Sequence, residues 1–222
     1  MIRIERLTKS YLTLQGRKFV FRDLTLDIPS GVNVGLIGRN GAGKSTLMRL
    51  LSQVEMPDTG KIHTDSTLSW PVGLTGGMQG NLSGRENVKF VCRIHGLRGE
   101  QMQEKLRYVQ EFAQIGEYFD QPVSTYSAGM RARLAFGTSM AFRFDYYLID
   151  EILAVGDAFF KAKSRQVFAE RLKDCRMIMV SHNMKLIQKM CDAVVFLDHG
   201  RATYYPEVKA GIEAYEAMGV EV

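Results

Sequence analysis

Residues 38–45, which read Gly-Arg-Asn-Gly-Ala-Gly-Lys-Ser, carry the strongest chemical signal in this sequence. They fit the pattern Gly-x-x-x-x-Gly-Lys-Ser/Thr of a phosphate-binding loop. In such a loop the glycines let backbone N–H groups point at phosphate oxygens, and the following helix adds the positive end of its dipole. We expect Lys44 to reach the β- and γ-phosphates and the Ser45 hydroxyl to take one Mg²⁺ position. The loop therefore predicts a nucleoside triphosphate site.

Two carboxylates follow a second apolar stretch, where Asp150 and Glu151 come directly after the predicted strand 146–149. In a parallel sheet, ligands bind at the carboxyl ends of the strands, so these carboxylates are expected to face the phosphate loop. Asp150 is predicted to hold Mg²⁺ through water, and Glu151 to accept a proton from the attacking water. Taken alone, the segment also fits a strand that ends in a solvated turn.

Two weaker signals join these. His182 follows the predicted strand 177–180, so its imidazole is expected near the same sheet edge, where it could hydrogen-bond the γ-phosphate. Ser127 opens a predicted helix over 127–142 and is a good N-cap. A serine with small residues at a helix start is also an anion site, so both interpretations of Ser127 stay open.

Composition narrows the class of protein. The 222 residues, 45% of them hydrophobic, suffice for one large domain or a core with an inserted subdomain. No apolar run approaches the roughly 18 residues of a membrane span, and we predict a cytoplasmic, water-soluble chain. The three cysteines are far apart, which argues against a disulfide framework or a zinc site. The net charge of +5 is dispersed along the chain and gives little support to a nucleic-acid partner.

The elements that must position these residues follow from apolar periodicity. Short strands are expected at 2–7, 19–21, 24–28 and 32–37, and 61–64 and 67–70 are predicted to form a strand pair. Residues 84–142 are mostly helical in period, and strand–helix alternation resumes after residue 143. This alternation predicts a largely parallel α/β sheet with a helical insertion. We predict a single domain over 1–222, with its core at about 1–73 and 143–222 and a helical subdomain at about 74–142.

Four motifs in this order resemble those of the nucleotide-binding subunit of an ATP-binding-cassette (ABC) transporter. They are the loop 38–45, Tyr126-Ser127-Ala128-Gly129-Met130, Asp150-Glu151 and Val180-Ser181-His182. The resemblance covers essentially all 222 residues and implies an α/β P-loop NTPase fold. That fold has a RecA-like core, an antiparallel β subdomain and an inserted α-helical subdomain. ATP and Mg²⁺ are the implied cofactors.

The resemblance also implies a head-to-tail dimer with a second copy of the chain, in which two ATP molecules are sandwiched between subunits. Each ATP would touch the phosphate loop of one chain and the Ser127 helix start of the other. Tyr11 sits where such proteins carry an aromatic that stacks on adenine, and Asp157 where they carry the loop that links the two sites.

The residues expected at the site are therefore these. The catalytic residues are Glu151 and His182, and the metal ligands are Ser45 and Asp150. The ATP-binding residues are Tyr11, Gly38, Arg39, Asn40, Gly41, Ala42, Gly43, Lys44, Ser45, Thr46, Ser127, Ala128, Gly129 and Asp157.

Two departures from the family pattern stand out. The signature reads Tyr-Ser-Ala-Gly-Met instead of the commoner Leu-Ser-Gly-Gly-Gln, although Ser127 and Gly129 are retained. In addition, no glutamine directly follows the predicted strand 67–70, where the family usually carries one. Gln79 is a candidate substitute, but it lies several residues late, and no role is assigned to it.

Residues 69–90, together with 142–147 and 154–158, resemble the capsular polysaccharide export ATPases of Gram-negative bacteria, of the polysialic-acid type. O-antigen exporters share much of this pattern but often carry an added C-terminal carbohydrate-binding domain. The chain stops at Val222, which favours the capsule branch. The resemblance implies ATP hydrolysis that drives lipid-linked capsular polysaccharide across the inner membrane.

The implied partners are an integral-membrane permease, docked near 70–90, and through it periplasmic and outer-membrane capsule export proteins. The implied location is peripheral, at the cytoplasmic face of the bacterial inner membrane, without nucleic acid. Three alternatives remain: an O-antigen or teichoic-type exporter ATPase, a soluble ABC ATPase that acts on DNA or ribosomes, and a non-hydrolysing regulatory module.

Overall fold

A computed structural model describes residues 1–72, 77–150 and 158–218. Within them the strands are β1 (Ile2–Thr13), β2 (Gly16–Ile28), β3 (Val34–Gly38), β4 (Thr59–Thr64), β5 (Leu68–Val72), β6 (Tyr146–Asp150), β7 (Arg176–Val180), β8 (Ala193–Asp198) and β9 (Arg201–Tyr205). The helices are α1 (Lys44–Leu51), α2 (Gly84–Ile94), α3 (Gly99–Ala113), α4 (Ala128–Ala141), α5 (Ala158–Arg171), α6 (Met184–Met190) and α7 (Val208–Glu216). Two 3₁₀ turns, Gly116–Asp120 and Val123–Thr125, precede α4.

The strands form two sheets. A three-stranded antiparallel sheet has the order β2-β1-β4, and a six-stranded sheet has the order β5-β6-β7-β3-β8-β9. In the larger sheet β6, β7, β3 and β8 run parallel, while β9 returns antiparallel to β8. The predicted α/β fold with a largely parallel sheet is confirmed.

The sequence pattern of each strand matches its place in a sheet. All of β3 and the first four residues of β6 are buried, and both are continuous apolar runs, as is typical of a parallel sheet. In β1, by contrast, Ile2 and Ile4 are buried while Arg3 and Glu5 face solvent. The buried face of β1 joins β3, β6 and α1 in one apolar core.

Two predictions about strands were wrong. Residues 61–64 and 67–70 do not pair with each other, because β4 pairs with β1 in one sheet and β5 lies beside β6 in the other. Partner choice depends on distant segments, which the turn between two strands does not reveal. The strands predicted separately at 19–21 and 24–28 are one strand, β2, in which Asp23 has a φ of 52° and the register shifts.

The described residues fall into two compact units. One is drawn from 1–71, 144–151 and 174–222, and the other from 72–143 and 152–173. The predicted core included α5, but this helix groups with the helical unit. Its Phe160 ring lies 5.5 Å from that of Phe112, and Lys163 donates a hydrogen bond to the Phe112 carbonyl at 3.1 Å. An aromatic cluster thus decides where this helix packs.

Three cysteines, Cys92, Cys175 and Cys191, are all buried and reduced. Burial raises the pKa of Cys92, and it raises the pKa of Cys191 to about 12. Among the helices in the described ranges, none combines the length and the apolar character that crossing a membrane requires.

Candidate functional site

Three neighbouring parallel strands bring the predicted site residues to one edge of the larger sheet. Leu36 of β3 lies opposite Val180 of β7, and Val180 lies opposite Asp150 of β6. The phosphate loop follows β3, and His182 follows β7 by two residues. The carboxyl ends of these strands therefore place the loop, Asp150 and His182 along one edge.

Two glycines of the phosphate loop, Gly38 and Gly43, are packed so closely that a side chain has no room there. Gly43 has a φ of 101°, and a Cβ there would lie 2.7 Å from both Phe21 Cζ and Val20 Cγ1. Gly38 has a φ of 151°, and a Cβ there would lie 2.3 Å from the carbonyl oxygen of Leu197. The strands beneath the loop thus fix its path, and a side chain at either glycine would displace it.

Lys44 begins α1 and is buried, with 8% of its surface exposed. Its Nζ donates hydrogen bonds to the carbonyl oxygens of Gly38, at 2.6 Å, and Arg39, at 2.9 Å. The loop therefore curls around the ammonium group. Gly43 caps the helix without any side-chain hydrogen bond, so the first N–H groups of α1 suit an external anion.

The two predicted metal ligands lie next to each other. Ser45 Oγ donates to Asp150 Oδ2 at 3.3 Å, across 105 residues of sequence. A hydroxyl and a carboxylate beside a phosphate loop are hard oxygen donors, which suit Mg²⁺. Glu151 and Asp157, the predicted base and linking residue, lie outside the described residues.

An open cleft of about 760 Å³ borders the phosphate loop. It is lined by loop residues 39–42, by β2 and by the turn between β8 and β9. Its charged side chains are Lys18, Arg22, Arg39, Arg201 and Asp198. Four cations against one carboxylate give a positive potential that suits a triphosphate. Of these, sequence reasoning selected only Arg39.

Tyr11 lies near the C-terminal end of β1 and is partly exposed. Its hydroxyl donates to Glu55 Oε2 at 2.5 Å and accepts from Arg49 Nη2 at 3.3 Å. Arg49 Nη2 also donates to Thr46 Oγ1 at 3.4 Å, in the first turn of α1. The predicted adenine-stacking ring is thereby tied to the helix that begins at the phosphate loop.

Sequence reasoning missed Arg49 and Glu55, because nothing in their spacing indicates a contact with Tyr11. Burial alone would raise the pKa of Glu55, but the Tyr11 hydrogen bond and the Arg49 charge together lower it. The Arg49 guanidinium, whose Nε lies 2.7 Å from Glu55 Oε1, has a raised pKa, with the Tyr11 hydrogen bond as the largest cause. Both groups are therefore charged at neutral pH.

His182 occupies a short, well-defined turn between β7 and α6. It is exposed, whereas Ser181 before it is buried. Ser181 Oγ accepts a hydrogen bond from the Asn183 N–H at 3.0 Å, and Asn183 Oδ1 caps α6 by accepting from Leu186 N–H at 3.1 Å. These bonds fix the backbone on which the His182 imidazole is carried.

Ser127 lies in the helical unit, as the N-cap of α4. Its Oγ accepts a hydrogen bond from the Met130 N–H at 3.2 Å. Ser127 and Ala128 are exposed, and Gly129 is partly exposed. The helix start borders an open groove of about 910 Å³, which also includes Tyr118 and Arg133. The cap role of Ser127 is thus confirmed, and its exposure leaves it accessible to an anion.

Gln79, the late substitute for the missing glutamine, is exposed. Its backbone is held from both sides by one side chain. The Gln79 N–H donates to Asn87 Oδ1 at 2.8 Å, and Asn87 Nδ2 donates to the Gln79 carbonyl at 3.1 Å. These contacts give the backbone of Gln79 a structural role and assign none to its side chain.

Comparisons with known proteins give a consistent picture. The family model described as ABC transporter matches residues 21–154. The chain is 55% identical to the polysialic acid transport ATP-binding protein KpsT of Escherichia coli, over 97% of this chain and 96% of that protein. It is 40% identical to the capsule polysaccharide export ATP-binding protein CtrD of Neisseria meningitidis serogroup B, over 98% and 100% of the two chains.

The fold is similar to that of a solved ATP-binding cassette, MJ0796, in a dimeric post-hydrolysis state bound to ADP and Pi. The TM-score is 0.71 at 18% identity, and the match covers 91% of this chain and 96% of that one. At this identity the likeness concerns the fold.

Proposed function

Because this chain belongs to the ABC transporter family, we propose that it is the ATP-hydrolysing subunit of a capsular polysaccharide exporter. The observation that carries the ATPase assignment is the 3.3 Å contact of Ser45 Oγ with Asp150 Oδ2 beside a complete phosphate loop. The cargo assignment is supported by the likeness to two proteins named for polysialic acid transport and capsule polysaccharide export. The cargo would be lipid-linked and would cross the inner membrane.

We assign the following chemistry to the phosphate-loop residues. Lys44 and the N–H groups of the loop would bind the β- and γ-phosphates, with the loop carbonyls orienting the ammonium group. Ser45 and Asp150 would hold Mg²⁺, which neutralises charge on the phosphate oxygens. Glu151 would accept the proton of the attacking water, and His182 would hydrogen-bond the γ-phosphate.

The second half of the site would come from another copy of the chain, arranged head to tail. In this arrangement Ser127, Ala128 and Gly129 contact the ATP held by the partner's phosphate loop, and Asp157 links the two sites. The exposure of this helix start and of the groove beside it supports that role.

A membrane-embedded permease would receive the work of hydrolysis, with this chain peripheral at the cytoplasmic face of the inner membrane. We place its dock near 70–90, and an exposed apolar stripe on α2 supports this position. Phe90 is 49% exposed and Ile94 is 66% exposed, and residues four apart share one face of a helix. Periplasmic and outer-membrane capsule export proteins would be reached through the permease.

The test is Lys44→Ala in cells that depend on this chain, with Lys61→Ala, at an exposed position in β4, as the control. We expect Lys44→Ala to abolish ATP binding by the purified chain and to remove capsule from the cell surface. Capsule that persists while ATP binding is lost would exclude this chain as the motor. Loss of surface O-antigen or teichoic-type polymer, with capsule intact, would favour the alternative exporter class.

A further inference from the structure

The hydroxyl of Tyr11 is fully engaged within the chain. A phenol can donate one hydrogen bond and accept others. That of Tyr11 donates to Glu55 Oε2 at 2.5 Å and accepts from Arg49 Nη2 at 3.3 Å. With its polar atom committed to two charged groups, Tyr11 offers a ligand the face of its ring.

The same two charged groups connect the ring to the phosphate-loop helix. Arg49 lies on α1, and its Nε bonds Glu55 Oε1 at 2.7 Å. Its Nη2 also reaches Thr46 Oγ1, one residue after the predicted metal ligand Ser45. The ring is therefore set at a fixed distance from the start of α1, where the phosphates would bind.

A third charge adds to this arrangement. Lys9 Nζ lies over the Tyr11 ring at 5.2 Å from its centroid and 3.7 Å from Glu55 Oε2. An ammonium on one ring face leaves the other face as the stacking surface. With Lys9 13% exposed, Glu55 26% and Arg49 34%, the cluster is sheltered enough for its hydrogen bonds to hold the ring firmly.

We propose that Glu55 and Arg49 are positioning residues that hold the Tyr11 ring as a stacking platform for the nucleobase. This inference rests on the proposed function, because it presumes a nucleotide whose phosphates occupy the loop. We expect this clamp, formed by Tyr11, Glu55 and Arg49, to affect binding of the base and to leave the phosphate contacts of loop residues 38–45 unchanged. A ring that is present but released would stack less well, because part of the stacking free energy would be spent on ordering it.

The experiment compares two ligands that differ in having a base. Dissociation constants of Mg²⁺ with ATP, and of Mg²⁺ with inorganic tripolyphosphate, are measured on the full chain. For Glu55→Gln and for Tyr11→Phe we expect ATP binding to weaken roughly threefold to tenfold, with tripolyphosphate binding unchanged. Tyr11→Ala, which removes the platform, is expected to weaken ATP binding by about tenfold or more. In steady-state ATPase assays, the two clamp variants should raise KM and leave kcat unchanged.

Asp27→Asn is the matched control, because it removes an ion pair on the same sheet, Asp27 Oδ1 to Arg3 Nε at 2.9 Å, without touching Tyr11. It should change neither constant. The Glu55→Gln/Tyr11→Phe double variant should bind ATP no more weakly than either single variant, because both substitutions remove the same clamp. Tyr11→Phe also tests the proposal independently if Glu55→Gln fails to fold.

The pattern of binding in the clamp variants and the wild type separates the positioning role from a general structural role. Equal weakening of ATP and tripolyphosphate in the clamp variants would show a general structural role and overturn the proposal, as would no change for ATP. Wild-type protein that binds neither ligand would overturn the proposed function itself, which is a different pattern from the first two.

Discussion

Two helix starts in this chain suit an anion, and they are built in opposite ways. At α1 the cap is Gly43, which offers no side-chain hydrogen bond, and the residue that follows is the buried Lys44. At α4 the cap is Ser127, whose own Oγ already accepts from the Met130 N–H, and the site is exposed.

The difference shows how one chain can use one helix start to bind nucleotide and another to associate with a second copy of the chain. The α1 start has a glycine cap without a side-chain hydrogen bond, a buried ammonium group and a closely packed loop, which together suit a triphosphate. At the α4 start, Ser127 Oγ already accepts from the Met130 N–H, and the helix start is exposed to solvent. We expect it to bind an anion only weakly by itself, and to bind it well when the anion is held by a second copy of the chain. We therefore expect affinity to depend on the first start and turnover on both.

The largest expected effect is a loss of turnover without a loss of ATP binding at the α1 start. Glu151→Gln removes the assigned base and keeps the size of the side chain. We expect turnover to fall roughly 10²- to 10⁴-fold while the dissociation constant for ATP stays within about twofold. Single-turnover kinetics together with equilibrium binding measure both quantities. Unchanged hydrolysis would remove Glu151 as the base.

Gly43→Ala tests whether the α1 start depends on the shape of its loop. The added Cβ would collide with Phe21 and Val20 at 2.7 Å, in a backbone conformation that alanine disfavours. We expect ATP affinity to fall by about 100-fold or more. Gly31→Ala is the control, because its φ of 81° is equally strained and its Cβ would meet nothing within 4 Å. Similar losses in both variants would attribute the effect to backbone strain alone.

Ser127→Ala tests the α4 start. Loss of the cap should lower the free energy of unfolding by about 1 kcal/mol and lower turnover about tenfold, with ATP affinity of the single chain unchanged. Ser83→Ala is the matched control, because the Ser83 side chain likewise accepts from the N–H three residues later, at Glu86, here as part of a capping box. It should lose similar stability and keep its turnover. If Ser127→Ala lost only stability, the serine would be a cap and nothing more.

The smallest effect concerns the surface contacts that support the helical unit. Arg85 Nε bonds Asp120 Oδ1 at 2.6 Å, and this hydrogen bond is the main cause of the lowered pKa of Asp120. Because the pair is exposed, Asp120→Asn should cost less than about 1 kcal/mol at neutral pH. A lowered carboxylate pKa stabilises above the ordinary value of about 3.9, and this stabilisation is lost as the pH falls through the lowered pKa. Urea unfolding at neutral and acid pH should show the difference between the variant and wild type disappear in acid.

The sequence predicted those parts of the site that are local in the chain. The loop 38–45, the carboxylate of Asp150 at the end of β6 and the cap at Ser127 are each defined by residues a few positions apart. Strand pairing was predicted less well, since β4 and β5 choose partners in different sheets. The contacts of Arg49 and Glu55 with Tyr11 could not be predicted at all, because these residues lie 38 and 44 positions away and meet the tyrosine only in the folded chain.

The buried cysteines make this chain well suited to chemical labelling. Thiol-reactive probes attack the thiolate, and a pKa of about 12 leaves almost none of Cys191 in that form at neutral pH. Because Cys92 and Cys175 are also buried, the native chain should react very slowly with maleimides. A single cysteine placed at the exposed Ile94 would then carry a fluorophore or spin label almost alone. Distances between two such labels could follow the approach of one copy to another as nucleotide is added.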